Sequence, residues 1–272
     1  MQVIVRPPSA AFRSAISTHH ERDRIDPLVA AQQHASFCGA LEAAGVSLVR
    51  LPAEPELPDA PFVSDVVLAL PPAAQSDGPT ARLLALRPGA QPRRPEVASV
   101  VAAARPLVGP DVPVGVVEPP ALLEGGDVIV FGDRLAVGVS ARTNEAGARL
   151  LAAEAAALGY RAFLCPVTDR LHLATAVTAV RADLLIGTAA GFASLDAAGP
   201  EVAPAEVRRL VLPDAELAGA NVLPLGGTCF VARGNPTAVG LLEAAGERVV
   251  EVELGEFVRA DGGPTCLVAL VP

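Results

Sequence analysis

Four cysteines, four histidines and thirty carboxylates are the groups with which this chain of 272 residues could do covalent or acid–base chemistry. All 21 of its basic residues are arginine. No lysine is therefore present to form a Schiff base, or to bind phosphate in a G-x-x-x-x-G-K-[ST] loop. Among the cysteines, Cys38 falls on an amphipathic stretch, Cys165 ends a β-like run before Pro166, and Cys229 lies inside TCFVA; all three read as core. Cys266 differs. It follows the flexible turn Ala260-Asp261-Gly262-Gly263-Pro264-Thr265 and opens the apolar run CLVALVP. A thiol at that junction can face a cleft and still be held rigidly, as a nucleophile needs. The opposing reading is one more buried thiol.

His19 and His20 lie in the polar segment THHERDRID, and His34 is placed on the polar side of a helix. His172 stands between two leucines in RLHLATA. That context suits a satisfied core histidine as well as a proton carrier working near pH 7. Two acidic motifs precede apolar runs: LLEGGDVIVF carries Glu124 and Asp127, and LPDAPFVSDVVLAL carries Asp59 and Asp65. Either could grip a cation, and either could simply make a turn. Arg87 in LALRPGA and Arg142 in SARTNEAG occupy matching places, at a strand end before a helical stretch. Guanidinium groups there could clamp a carboxylate bidentately or sit in surface ion pairs.

The elements that must position these groups recur. QVIVRP, LLALRPG, RLAVGVS, DLLIGTA and CFVARG read as strands, spaced by roughly 45–50 residues, a period typical of repeat or propeller architectures. After most of them comes an Ala-rich amphipathic stretch and then another short strand; the helix after DLLIGTA is poorly signalled. On the first helix Leu28, Ala31, Phe37 and Leu41 define the expected apolar face. Gly45, Gly159 and Gly246 are expected as left-handed C-caps. The strands are nearly continuous in apolarity, as in sheets covered by helices. The pattern predicts one domain over 1–272 of about five strand–strand–helix–strand modules, with a doubly wound α/β sheet as the competing architecture. The Pro-rich loops at 52–64 and 71–80 are candidates to order around a site.

Bulk properties narrow the function. A chain 51% hydrophobic and 19% charged is globular rather than disordered. Its formal charge of -9 argues against a nucleic-acid partner. No apolar run reaches the ~18 residues of a membrane span, and MQVIVRPPSA reads as a first strand rather than a secretion signal. The scattered cysteines fit free thiols in a cytoplasmic protein.

Taken together, the motifs resemble those of the dimethylarginine dimethylaminohydrolases, guanidine-modifying enzymes of the pentein fold. The resemblance runs in register along LPDxxFVxD at 57–65, RPGAxxRRxEV at 87–97, EGGDV at 124–128, SxRTNxxG at 140–147, LHL at 171–173 and GGxTC at 262–266. It implies an α/β pentein fold, a five-module pseudosymmetric propeller. It also implies hydrolysis of an Nω-methylated arginine to citrulline and an amine, through a covalent thiouronium on Cys266. His172 would then be the proton carrier, with Glu124 and Asp65 around the guanidinium. Arg87 and Arg142 would hold the substrate carboxylate, with Asp59, Ser64, Ile16 and Ala260 lining the pocket. No metal or cofactor is implied, the partner is a small guanidino amino acid, and a homodimer is compatible with the sequence. One departure stands out: the family's F-V-E-D is Phe62-Val63-Ser64-Asp65 here, which removes an acceptor beside the guanidinium or its loop. Two alternatives are carried forward. One is another pentein activity, a deiminase or amidinotransferase; the other is a catalytically weak small-molecule binder.

Overall fold

A computed structural model describes residues 2–74, 81–168 and 170–271. The chain order is β1 (Gln2–Val5), α1 (Pro27–Ala43), β2 (Ser47–Arg50), β3 (Val67–Leu70), β4 (Arg82–Ala85), α2 (Val97–Val108) and β5 (Val114–Val116). It continues with β6 (Val128–Phe131), β7 (Arg134–Val139), α3 (Glu145–Ala157), β8 (Arg161–Pro166), β9 (Val177–Arg181), β10 (Leu184–Thr188), α4 (Ala189–Ala197) and β11 (Arg208–Leu212). The last elements are β12 (Leu223–Leu225), β13 (Thr228–Ala232), α5 (Pro236–Ala244), β14 (Val249–Val252), the single-turn α6 (Gly255–Val258) and β15 (Ala269–Val271). Among the described residues these strands form five three-stranded sheets: β15-β1-β2, β3-β4-β5, β6-β7-β8, β9-β10-β11 and β12-β13-β14.

Every sheet repeats one plan. Its first strand pairs antiparallel with the middle strand, and the middle strand pairs parallel with the last across a helical crossover. Parallel neighbours need such a crossover, which explains why each Ala-rich stretch lies between two β runs. The competing single doubly wound sheet is thereby excluded. In the first sheet the ring is closed by the two ends of the chain, where Gln2, Val3 and Ile4 pair with Val271, Leu270 and Ala269.

Hydrophobic cores lie at the junctions between neighbouring modules rather than inside them. One packs Leu84 and Leu86 against Leu135 and Leu151, and another packs Ile4 and Ala269 against Val66 and Leu83.

Local signals explain the helix boundaries. Asp26 caps α1, accepting from the amides of Leu28 and Val29, with Pro27 at the first position. Asn144 and Thr188 cap α3 and α4 in the same way. Gly45, Gly159 and Gly246 take positive φ just after their helices, as left-handed caps require. The apolar face of α1 needs correction. Ala30, His34, Phe37, Cys38 and Leu41 are buried, whereas Leu28 is 77% exposed. His34, expected on the polar side, is thus inside, where burial pushes its pKa down to about 4. The stretch after DLLIGTA does form a helix, α4. Its Gly191 lies so close to β9 that a Cβ would meet the carbonyl oxygen of Ala176 at 2.3 Å. The Pro-rich loop at 71–80 is described only to residue 74, so its remainder lies outside the described residues.

Candidate active site

The modules end their loops in a common place, so each first strand is preceded by a turn that delivers a polar group. Asp65 closes the turn Val63–Asp65 before β3, and Glu124 and Asp127 flank Gly125 and Gly126 before β6. His172 precedes the turn Leu173–Thr175 before β9, Asn221 precedes β12, and Cys266 lies in the turn Pro264–Leu267 before β15. Five short turns, distant in sequence, thereby converge. One cleft is lined by Ile16, Asp59, Asp65, Glu124, Arg142, His172, Ala260 and Cys266, all anticipated from sequence, together with Phe62, Arg93, Leu171, Asp261 and Gly262.

His172 and Glu124 form the acid–base pair. Nε2 of His172 lies 2.8 Å from Oε2 of Glu124, with both side chains buried. The other Glu124 oxygen accepts from the amide of Ala90 at 3.2 Å and faces Nη1 of Arg142 at 3.5 Å. Burial alone would lower the His172 pKa, but the charge of Asp65, the bond to Glu124 and the charge of Asp127 outweigh it, raising it to about 9. The imidazole is therefore an imidazolium at neutral pH, ready to give a proton. Asp127 anchors the loop beneath: it accepts from the amide of Leu173 at 3.0 Å and from the Ser140 hydroxyl at 2.7 Å. Gly138 must be glycine there, because a Cβ would lie 2.5 Å from Asp127 Oδ1.

Cys266 is held by its turn, its amide donating to the carbonyl of Gly263 at 3.1 Å. Nδ2 of Asn221 lies 3.8 Å from the sulfur, while Oδ1 of Asn221 accepts from both the amide and the hydroxyl of Thr265. Gly263 packs directly on Asn221, where a Cβ would come within 2.5 Å of Oδ1. Burial, helped by the nearby charge of Asp65, pushes the thiol up to about 11. A cation in the cleft would reverse that, since an opposite charge nearby favours the thiolate.

Arg93 organises the acidic side. Its guanidinium donates to Asp65 Oδ2 at 2.7 Å, to Glu96 Oε2 at 2.9 Å and to the carbonyl of Phe62 at 3.0 Å, and lies 3.8 Å from Glu124. The second Asp65 oxygen accepts from the amide of Gly126 at 2.9 Å. Burial opposes ionisation of Asp65, but His172, Arg93 and that amide hold its pKa below the usual carboxylate value. Asp59, buried and farther from these partners, is pushed up to about 6, and Glu96 to about 7. Both Arg93 and Asn221 escaped sequence reasoning. Arg93 stood inside the R-R-x-E run as part of a recognition motif, and Asn221 occupies the fifth of five equivalent turns.

Two anticipated residues lie outside the cleft. Ser64 turns its hydroxyl to the carbonyl oxygen of Cys266, donating at 3.2 Å, and lines a second cavity on the far side. It meets the nucleophile's backbone rather than the cleft. Arg87 is on the loop adjoining Arg142, where a Cβ on Gly89 would meet the Arg142 carbonyl at 2.5 Å; its Nε is buried without a hydrogen-bond partner among the described residues.

Asp65, Glu124 and His172 bring ligand atoms within 4.8 Å of one another, the spacing of a metal site. Those atoms are already committed to Arg93, Gly126 and each other, so a cation there would break the acid–base pair and sit beside a guanidinium. The donor set fits ion pairing better than metal ligation.

No protein-family model matches the sequence. A dimethylarginine dimethylaminohydrolase of Streptomyces coelicolor is 36% identical over 267 residues, covering 98% of this chain and 95% of the relative. Its counterpart from Pseudomonas aeruginosa is 28% identical over 269 residues, covering 97% of each. Among solved structures, a cysteine-to-serine mutant of the Pseudomonas aeruginosa enzyme complexed with citrulline superposes with a TM-score of 0.86 at 26% identity, covering 98% of both chains. The N-terminal domain of a cyanobacterial arginine dihydrolase shares the fold at a TM-score of 0.74 and 16% identity, covering 98% of this chain and 96% of that one.

Proposed function

This chain belongs to the dimethylarginine dimethylaminohydrolase family, and from that premise we infer that it hydrolyses Nω-methylated arginine to citrulline and methylamine or dimethylamine. The observation that carries this reading is the convergence of Cys266, the His172–Glu124 pair and Asp65 on one cleft. A guanidinium is a poor electrophile, so its hydrolysis needs a strong nucleophile, anions to orient the cation and a proton donor to the leaving amine. Asp65, with Asp59 and Glu124, provides the anionic wall. Arg142, with Arg87 from the adjoining loop, holds the substrate carboxylate.

The resting thiol, with its pKa near 11, ionises as the substrate cation settles beside it and releases its proton to solvent. The thiolate attacks the guanidinium carbon. As the C–N bond to the methylated nitrogen breaks, His172 gives that nitrogen its proton. The neutral imidazole then takes a proton from water, whose oxygen attacks the thiouronium carbon; citrulline leaves and the thiolate is restored. Ser64 acts on this sequence through the backbone of Cys266. The free thiols, the formal charge of -9 and the lack of any helix long and apolar enough to cross a membrane support a cytoplasmic enzyme without a nucleic-acid or membrane partner. Gel filtration tests whether it is a homodimer.

Incubation with asymmetric dimethylarginine, monomethylarginine and arginine, following citrulline and each amine, tests the assignment. Turnover of the methylated substrates is expected, abolished in a folded Cys266→Ser variant. Turnover of arginine alone, with ammonia released, would favour the deiminase reading. No turnover by reduced, folded protein would sink both.

A further inference from the structure

The cleft has a neighbour on the opposite side of the same turns. There the first strands of all five sheets enclose a cavity of about 390 Å³. That exceeds the ~150 Å³ lined by Leu, Ile and Phe that accommodates benzene, and falls within the usual ~300–1,000 Å³ of small-molecule pockets. Its outer end is marked by the exposed side chains of Val130 and Leu270, its inner end by Gly126 and Ala174.

No charged side chain lines it among the described residues. Three lining residues carry polar side chains, and each is already engaged. The Ser64 hydroxyl donates to the carbonyl of Cys266, that of Thr178 to the carbonyl of Ala220, and that of Thr265 to Asn221. A charged or strongly polar ligand would lose its hydration there without gaining a side-chain partner, whereas an apolar one would lose nothing. The chemistry of the wall therefore selects an uncharged, hydrocarbon-like molecule, of alkylbenzene or bicyclic size.

The floor is one residue thick. Ser64, Gly126 and Thr265 line the cavity, and their sequence neighbours Asp65 and Cys266 line the cleft. A Cβ on Gly126 would come 2.6 Å from His172 Nδ1 and 2.9 Å from Asp65 Oδ1, so its backbone touches both catalytic side chains. We propose that this cavity is an effector subsite for an uncharged apolar molecule, whose occupancy stiffens the floor that carries Cys266.

Naphthalene fluorescence tests this cleanly, because the chain has no Trp and one Tyr. Saturable binding below the solubility limit of naphthalene is expected. Leu270→Glu, which puts a carboxylate at the mouth, and Ala179→Leu, which fills volume, should each weaken it at least about ten-fold, equivalent to about 1.4 kcal/mol. Arg142→Ala, in the cleft, should leave it unchanged. At saturation, iodoacetamide alkylation of Cys266, identified by peptide mass, should slow at least two-fold. The inference is overturned if binding is not saturable, if it survives both cavity variants, if Arg142→Ala removes it, or if the alkylation rate at saturation is unchanged.

Discussion

Asp65 acts on three groups at once: it pairs with Arg93, helps keep His172 protonated and raises the pKa of Cys266. These effects can be separated by substitution. Alkylation by iodoacetamide needs the thiolate, so its rate in the free enzyme should rise with pH toward a midpoint near 11. Asp65→Asn removes the anion that disfavours the thiolate and leaves Arg93 less compensated. Both changes lower the Cys266 pKa, so the midpoint should fall by about one unit. A midpoint that stays or rises would remove Asp65 from the electrostatics of the nucleophile. Arg93→Lys is the complementary case. Lysine keeps the charge but loses the planar fork that reaches Asp65, Glu96 and the Phe62 carbonyl together. As a positioning residue Arg93 should then cost roughly 100-fold in kcat, while the alkylation midpoint stays within about half a unit. A shifted midpoint with unchanged kcat would reverse the assignment. Residue types made Cys266 and His172 candidates, because few thiols and imidazoles compete. Arg93 was one arginine among 21, and only burial among carboxylates distinguishes it.

The helices and strands hold the site; the segment between β1 and α1 covers it. The cleft encloses about 20 Å³, less than the ~30 Å³ share of one water in the liquid, so an amino acid enters only if a wall moves. The wall built from the fewest contacts is the stretch around Ile16–Thr18. The amide of Ile16 donates to Asp59 at 3.1 Å. The amide and hydroxyl of Thr18 and the hydroxyl of Ser17 all donate to Oδ2 of Asp261, at 2.6, 3.0 and 3.1 Å. Asp261 holds φ at 57°, a left-handed conformation that a non-glycine residue adopts at a cost. Asp261→Ala removes three bonds to a charged acceptor, each worth about 1.5–3 kcal/mol when buried and less at this partly exposed site. Tryptic cleavage at Arg13, Arg22 or Arg24 should accelerate at least about ten-fold, because nicking follows the open population, and KM should change more than kcat. Unchanged cleavage would mean that Asp261 does not latch the segment. At this scale sequence reading was uneven. Capping residues and C-terminal glycines marked α1, α3 and α5 well, but α4 was obscured by Gly191, which close approach to β9 demands and which reads as a helix breaker. Leu28 misled because hydrophobic periodicity cannot say which apolar residue a neighbouring element will cover.

At the scale of the molecule, the 45–50-residue period was legible, while the location of the cores was not. Apolar runs reveal that strands are covered, not by which module. Each core joins two modules, as Phe37 and Phe230 show by packing edge-on from the first and last. No module thus has an interior of its own, and the ring is closed by pairing β1 with β15, three residues beyond Cys266. Two expectations follow from opposite views of this architecture. If the modules fold independently, damage to the closing sheet frees only β1 and β15; if 1–272 is one cooperative domain, the damage is felt everywhere. Ala269 is 3% exposed and packs with Ile4 and Val66, so Ala269→Asp buries a carboxylate with no partner built for it. An uncompensated buried charge costs about 3–5 kcal/mol, a large share of the ~5–15 kcal/mol that holds a domain together. Hydrogen exchange read by mass spectrometry should therefore show protection falling by a similar free energy in the most protected peptides of β4, β7, β10 and β13, not only at 2–5 and 269–271. Urea unfolding followed by circular dichroism should remain one transition with a lower midpoint. Loss of protection confined to the first sheet would show that the ring opens without unfolding, and that the cleft is assembled by modules stable on their own.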